Sequence, residues 1–303
     1  MARRPPTPAA GLGPALDRLY ASFDRVESAE DPIRLVRRFT RPADREVVGF
    51  VAAGLAFGRV ASVVQSIERV LEVLGGAPAD FVRGFDPRGQ GTALSAIVHR
   101  WTRGPDLVAL LLVLQRVLRR SGSIEAFFAE GDDPGAADVE PGLESFSRRA
   151  LATDLSAAYG RVPARPGVCY FFPRPSSGSA CKRLNLFLRW MVRRDGVDLG
   201  IWRSPAASRL IVPLDVHLIR MGQCLGLTRY RSAGWRMARE ITAALRRFDP
   251  ADPVRFDFAL CHLGMQGACG FRRPEGDSRC PLRPFCRPSS RRRPASPTPS
   301  ARR

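Results

Sequence analysis

SSGSACKRLNLFLRWMVR, residues 176–193, joins a glycine-containing turn to the start of a strongly apolar helix. The first backbone N–H groups of a helix have no partner inside the helix, and the helix dipole adds partial positive charge there. Such a terminus suits a phosphate group. The sequence therefore predicts a helix from Ser179 to about Arg194 with a phosphate-binding start, although an ordinary helix N-terminus fits the same residues.

Lys182, in the first turn of this helix, is the only lysine in the chain. The other 47 of the 48 basic residues are arginines. An arginine stays protonated, whereas a lysine can lose its proton and act as a nucleophile. Our hypothesis is that Lys182 occupies a site where an arginine could not do the chemistry, with chance survival as the alternative.

A helical pattern continues on both sides of this segment. The apolar stripe Val63, Ile67, Val70, Leu71 and Leu74 has the spacing of one helix face. Further helices are predicted from residue 104 to about 120 and over residues 124–130, 143–159, 216–225, 235–248 and 257–264. The expected fold class is all-α, in one compact unit or two closely packed helical lobes.

The boundaries of the helical domain follow from composition. Residues 1–13 are rich in Pro, Ala and Gly and are expected to be flexible. Residues 14–286 form the expected domain, although residues 161–178 contain four prolines and cannot be one regular element. Within them, Val168–Phe172 is expected to be extended. Residues 287–303 carry six arginines and no acids, so we expect a disordered tail that can hold phosphate.

The formal net charge of +19 points to a polyanionic partner, with nucleic acid first. Codon bias explains the use of arginine instead of lysine, but it leaves the charge unchanged. No apolar run of about 18 residues occurs, so we expect no membrane span. No secretory signal is expected either, and the predicted location is the cytoplasm, associated with the nucleoid, with the protein as a monomer.

Asp215 lies within RLIVPLDVHLIR, residues 209–220, directly before an apolar-periodic stretch. Its commonest role there is to cap the helix, and the backbone donors keep such a carboxylate ionised. An ionised carboxylate at a pocket mouth can also stabilise a cationic group or accept a proton. His217, two residues later, is either a half-buried structural histidine or an acid/base group.

The order of these motifs resembles the helix-hairpin-helix DNA glycosylase superfamily, endonuclease III type. GSACKRLNLFLRWMVR, DLGIW, PLDVHLIR and DPVRFDFALCHLG look more closely like an uncharacterised bacterial family of domains of unknown function related to those glycosylases. The similarity extends from about residue 15 to residue 286. It implies a helix-hairpin-helix glycosylase-like fold.

The resemblance also implies roles for single residues. The hairpin glycine falls on Gly178, and Ala180 stands where the superfamily has a second glycine. The catalytic lysine falls on Lys182 and the catalytic aspartate on Asp215, with an inserted DGVDLGIW loop lengthening their separation to 33 residues. The expected nucleic-acid-binding residues are Gly178, Ser179, Ala180, Arg183 and Arg189.

The implied activity is base excision from damaged or modified duplex DNA, with possible AP-lyase activity. A target base would be flipped out of the duplex, and Lys182 would form a Schiff base with the sugar. Two alternatives remain open: a non-catalytic nucleic-acid-binding protein that keeps the hairpin, and a factor that acts on RNA.

A C-terminal cysteine cluster, Cys261, Cys269, Cys280 and Cys286, resembles the iron–sulfur ligands of the same superfamily. The final CPLRPFC matches that pattern, but Asp277 stands at the expected second ligand. Three alternatives remain open: Cys261 supplies the fourth ligand, Asp277 supplies it, or no cluster forms. An iron–sulfur centre is the first expectation and zinc the second, in a structural role. The remaining cysteines, Cys169, Cys181 and Cys224, are expected to be small buried residues.

Four tryptophans could in principle stack on a flipped base, but most tryptophans pack inside proteins. Only Trp202, in the inserted loop, is a candidate for the pocket.

Overall fold

The computed structural model describes residues 9–25, 31–267 and 280–286. Within these ranges the chain forms α-helices and no β-strand, which confirms the all-α class. The helices are α1 Leu12–Phe23, α2 Ile33–Val36, α3 Pro42–Leu55, α4 Val60–Leu74, α5 Pro78–Gly84, α6 Pro87–Gln90, α7 Thr92–Ser95, α8 Gly104–Ser121, α9 Ile124–Ala129, α10 Glu140–Ala150, α11 Ser156–Tyr159, α12 Lys182–Val192, α13 Val216–Cys224, α14 Trp235–Leu245 and α15 Asp257–Met265.

Helix starts and apolar stripes follow the local chemistry. All five residues of the predicted stripe in α4 are buried. Helix α8 begins where Pro105 occupies the first turn and the Asp106 carboxylate accepts a hydrogen bond from the Arg103 N–H at 2.8 Å. Helix α1 begins at Leu12, inside the segment that was predicted to be flexible. The Arg-rich tail, residues 287–303, lies outside the described residues.

Three predicted elements differ from the structure. The helix predicted over residues 143–159 is divided into α10 and α11, because Asp154 accepts hydrogen bonds from the backbone and hydroxyl of Ser156 at 2.9 and 3.0 Å. Val168–Phe172, expected to be extended, lies largely in a 3-10 helix, Gly167–Phe171. Helix α12 starts at Lys182 instead of Ser179, because Cys181 adopts a left-handed conformation with φ of 48°.

The described helices pack in two groups. Helices α3, α5, α8, α9 and α10 form one group, whereas α1 and α13 each pack against α15, and α12 lies against α3. Two glycines of α3 permit close packing: a Cβ on Gly49 would lie 2.7 Å from the Met191 Cε, and a Cβ on Gly54 would lie 2.6 Å from the Phe171 Cδ1. No helix of the described chain is both long and apolar enough to cross a membrane.

A buried ionic network joins α12 to the inserted loop and to α15. Arg189 contacts Asp198 at 3.2 Å and Asp257 at 2.5 Å. Arg193 contacts Asp198 and also Asp252, the latter at 2.8 Å. Buried charges are tolerated when they are paired in this way. The inserted loop therefore supplies a carboxylate, Asp198, that holds both Arg189 of α12 and Arg193 directly after this helix.

Candidate active site

A cleft of about 510 Å³ opens between the two groups of helices. Its walls come from the end of α3, the start of α4, and helices α12, α13 and α15. Lys182 and Asp215 both line it, as does His217. The structure thus brings Lys182 together with Asp215 and His217, which the sequence analysis selected from a second segment 33 or more residues away.

Lys182 is the first residue of α12, directly after the glycine turn. Its Nζ donates a hydrogen bond to the backbone carbonyl of Ala56 at 3.2 Å. Ala56 directly follows Leu55, the last residue of α3, so the amine lies at the negative end of the helix dipole. The geometry places the amine inside the cleft instead of on the outer surface.

The turn before Lys182 has two left-handed residues, Gly178 with φ of 79° and Cys181. Ala180, which replaces a superfamily glycine, is not left-handed, so this position does not require a glycine. The Ser179 hydroxyl accepts a hydrogen bond from the Cys181 N–H at 3.1 Å. The Gly178 carbonyl accepts one from the Trp235 N–H at 3.2 Å, which ties the turn to α14. One hydrogen bond within the turn and one to α14 therefore fix the conformation of the turn.

Asp215 caps α13, as predicted, because its Oδ1 accepts a hydrogen bond from the Leu218 N–H at 2.7 Å. Its other oxygen, Oδ2, accepts a hydrogen bond from the Cys261 thiol at 3.0 Å. Burial, together with the negative charges of Asp215 and Asp257, raises the pKa of Cys261 well above its usual value. The thiol stays protonated at neutral pH and so remains a donor to the carboxylate.

The floor of the cleft contains the Arg189–Asp257 ion pair. Burial raises the pKa of Asp257 to about 6; Arg189 opposes this rise and the charge of Asp215 adds to it. His262, also in the lining, has its Nδ1 2.9 Å from the Phe258 carbonyl oxygen, and burial lowers its pKa. A neutral histidine and the carboxylates of Asp215 and Asp257 therefore line the same cleft as the amine.

Arg189 and Trp202 do not occupy the positions expected of them. Arg189 was predicted to bind nucleic acid, but its side chain is buried and paired with carboxylates, because it faces the inserted loop. Trp202 was a candidate for the pocket, but it is buried beside Phe128 and Phe187 and donates a hydrogen bond to Glu46 at 2.8 Å. Arg183, by contrast, is only partly buried beside the turn.

The predicted metal ligands separate into two places. Cys261 lies in the cleft and contacts Asp215, whereas the Sγ of Cys286 lies 3.0 Å from the Sγ of Cys224, a residue predicted to be merely buried. Cys280 is buried, and Cys269 and the alternative ligand Asp277 lie outside the described residues. No group of three or more potential ligands occurs in the part of the chain that is described. Cys224 and Cys286 therefore form a thiol pair, whereas Cys261 has a carboxylate as its partner.

The sequence analysis missed two parts of this site. The carbonyl of Ala56 carries no signal in the sequence, because every residue has one. Asp257 and Cys261 are four residues apart on α15, which puts them on one helix face. That spacing in DPVRFDFALCHLG could have identified Cys261 as a cleft residue.

Comparison with known proteins gives one match. A family model described as a protein of unknown function (DUF2400) matches residues 31–266. Every residue that lines the cleft falls within this range. No curated protein and no solved structure matches the chain.

Proposed function

The chain belongs to this family of proteins of unknown function, and we propose that it is a DNA N-glycosylase of the helix-hairpin-helix type with associated AP-lyase activity. The observation that carries the proposal is that the only lysine and the capping aspartate of α13 share one cleft. The turn at Gly178, the start of α12 and the net charge of +19 support a phosphate-bearing partner.

The reaction begins with a nucleotide that is flipped out of duplex DNA into the cleft. The neutral amine of Lys182 attacks C1′ of the sugar, so that an Nζ–C1′ bond forms. The glycosidic C1′–N bond breaks, and its electron pair leaves on the base, which takes up a proton. The Asp215 carboxylate stabilises the positive charge that develops on the sugar.

Strand cleavage follows from the covalent adduct. Nζ loses a proton to Asp215, and its lone pair then forms a C1′=N bond as the C1′–O4′ bond breaks and O4′ takes up a proton. The resulting Schiff base acidifies the C2′ hydrogens. Removal of one C2′ proton expels the 3′ phosphate by β-elimination, which breaks the C3′–O bond.

Borohydride trapping tests this mechanism directly. Reduction of the Schiff base with borohydride should link the protein covalently to duplexes that carry an excisable lesion. Lys182→Gln should abolish the adduct, whereas Met265→Leu, a conservative change of a partly exposed residue in the same cleft, should keep it. If the wild-type protein binds the panel of lesion duplexes but no adduct forms on any of them, the enzyme proposal is wrong.

A non-catalytic nucleic-acid-binding protein is the second candidate. It is favoured by the observation that Lys182 and both oxygens of Asp215 already have hydrogen-bond partners within the chain. A catalytic role requires the amine to leave the Ala56 carbonyl when substrate binds. Binding of DNA or of RNA of the same sequence, without trapping, would support this candidate.

A structural metal centre belongs to the same proposal, with iron–sulfur first and zinc second. The contact of Cys224 with Cys286 supports these two thiols as ligands, and Cys269 and Asp277, outside the described residues, are the remaining candidates. Such a centre would hold the C-terminal segment. Metal analysis of Cys224→Ser and Cys261→Ser should show loss of metal in the first variant only; loss in the second alone would exclude this ligand set.

A further inference from the structure

Exposed aromatic rings form a continuous surface beside the cleft. The ring of Trp101 stacks on that of Phe57, with centroids 4.5 Å apart and an interplanar angle of 18°. Tyr170 lies next to Trp101, at 5.7 Å between centroids. Trp101 is 46% exposed and Tyr170 is 54% exposed, although large apolar side chains are usually buried. We name Phe57, Trp101 and Tyr170 the aromatic platform.

The backbone holds Trp101 in this exposed position. His99 and Thr102 exchange two backbone hydrogen bonds of 3.0 and 2.9 Å, and Trp101 projects from the turn between them. Arg100, inside this turn, has a positive φ of 55°, a conformation that costs an arginine energy. The His99 ring contacts the Phe57 ring edge-on, with centroids 4.5 Å apart, and its Nε2 lies 3.0 Å from the Phe57 carbonyl oxygen. These contacts fix the positions of Trp101 and Phe57 in the fold.

Arg183 adds a positive charge to the platform. Its guanidinium lies 4.6 Å from the centre of the Phe57 ring and 5.9 Å from that of Tyr170. It also donates a hydrogen bond to the Tyr170 carbonyl. Burial lowers the pKa of Arg183 to about 10, and no carboxylate of the described residues acts on it. A partly buried guanidinium without an acidic partner favours an anionic ligand from outside the chain.

The platform and the cleft share residues. Phe57 belongs to both, and Arg183 follows Lys182 directly in the sequence. A strand that places one nucleotide near Lys182 therefore brings its neighbours to the platform. Aromatic rings bind bases of any sequence by stacking, and an arginine beside them can hold the backbone phosphate.

We propose that the aromatic platform stacks on an unpaired base of a DNA strand while Arg183 binds an adjacent phosphate. Removal of a nucleotide from a duplex leaves its partner base unpaired, so the platform would select DNA in which pairing is already broken. This inference rests on the proposed DNA-directed function, and it names the form of DNA that the site prefers.

Fluorescence anisotropy with a labelled duplex containing one unpaired base tests the inference, with a fully paired duplex and single-stranded RNA alongside. Trp101→Ala and Tyr170→Ala should each weaken binding of the first duplex about ten-fold, the size expected for loss of base stacking. Trp101→Phe should keep most of the affinity. Tyr230→Ala changes an exposed tyrosine outside the platform and should have no effect.

Intrinsic fluorescence provides a second readout. Trp190, Trp202 and Trp235 are buried, so quenching by bound DNA should come from Trp101 and disappear in Trp101→Phe. If all variants bind the duplex with one unpaired base equally well and show the same fluorescence quenching, the inference that the platform stacks on a base is wrong. The glycosylase proposal would still stand. Failure of the wild-type protein to bind any DNA would overturn both proposals. Platform-dependent binding without a borohydride adduct would overturn only the enzymatic activity.

Discussion

Asp215 uses its two carboxylate oxygens for different contacts. Oδ1 accepts the backbone hydrogen bond that starts α13, and Oδ2 accepts the thiol of Cys261. An asparagine at this position can still accept the first bond through its side-chain oxygen, but it carries no charge. The Asn variant therefore separates helix capping from electrostatics.

Asp215→Asn should leave stability nearly unchanged and make Cys261 more reactive. Removing the negative charge lowers the pKa of the thiol, because that charge is the second cause of its elevation after burial. Alkylation of Cys261 by iodoacetamide at pH 8 should then become several-fold faster, as followed by peptide mass spectrometry. Cys169, which is exposed and outside the cleft lining, is the internal control. An unchanged rate at Cys261 would contradict the contact.

The local patterns predicted that Lys182 and Asp215 each lie at a helix start, and the family resemblance predicted that they are partners. The roles of Arg189 and Cys261 could not be predicted. Arg189 looks like any surface arginine until the inserted loop places Asp198 against it. Cys261 looks like a metal ligand until α15 turns it towards Asp215. Both depend on contacts between residues that are distant in sequence or on opposite sides of a loop.

At the scale of elements, the packing of α3 fixes one wall of the cleft. Its two glycines face different neighbours. Gly49 faces the flexible end of Met191, whereas Gly54 faces the rigid ring of Phe171. A methionine end can move to admit a methyl group, but a packed aromatic ring cannot do so without displacing its surroundings.

Gly54→Ala should therefore destabilise the protein by about 1–3 kcal/mol, the usual cost of overpacking. Gly49→Ala should stay within about 1 kcal/mol of the wild type, because alanine's higher helix propensity offsets a small rearrangement. Urea unfolding followed by circular dichroism measures both free energies. Equal destabilisation by the two substitutions would show that the neighbouring side chain does not decide the cost.

Helices with a strong periodic spacing of apolar residues were predictable, as α4 and α8 show. The division between α10 and α11 was not, because it depends on one aspartate that bonds to nearby backbone. The late start of α12 was not predictable either, since a left-handed cysteine is uncommon. Both errors concern helix ends, where local side-chain bonds compete with the helix.

At the scale of the whole molecule, the charge of +19 is spread over the domain and over the tail, residues 287–303. Binding driven by phosphate contacts weakens as salt rises, by a slope of about 0.9 per contact in a plot of log affinity against log salt. The six arginines of the tail add to this non-specific part of binding, whereas the cleft and its amine lie in residues 31–265.

Deletion of residues 287–303 should therefore weaken binding to undamaged duplex DNA and make its salt dependence shallower. Trapping by Lys182 on bound lesion DNA should keep its rate. A full-length variant with glutamine at the six arginines should behave like the deletion, which separates charge from length. If the slope of log affinity against log salt is the same in all three proteins, the tail does not contact phosphate.

The all-α class could be predicted at this scale from helix periodicity, and the shared cleft from the family resemblance that assigned Lys182 and Asp215 to one pocket. The aromatic platform could not, because its rings come from two loops and a 3-10 helix that are far apart in sequence, and each ring alone resembles an ordinary packing residue.

The position of Lys182 has a practical consequence for spectroscopy. Its ε-amine is unique in the sequence and lies in the cleft, against the Ala56 carbonyl. Reductive methylation with ¹³C-formaldehyde would therefore give one side-chain signal, distinct from that of the N-terminal amine. This single resonance would report whether the amine leaves its carbonyl when a DNA strand enters, without any substitution in the protein.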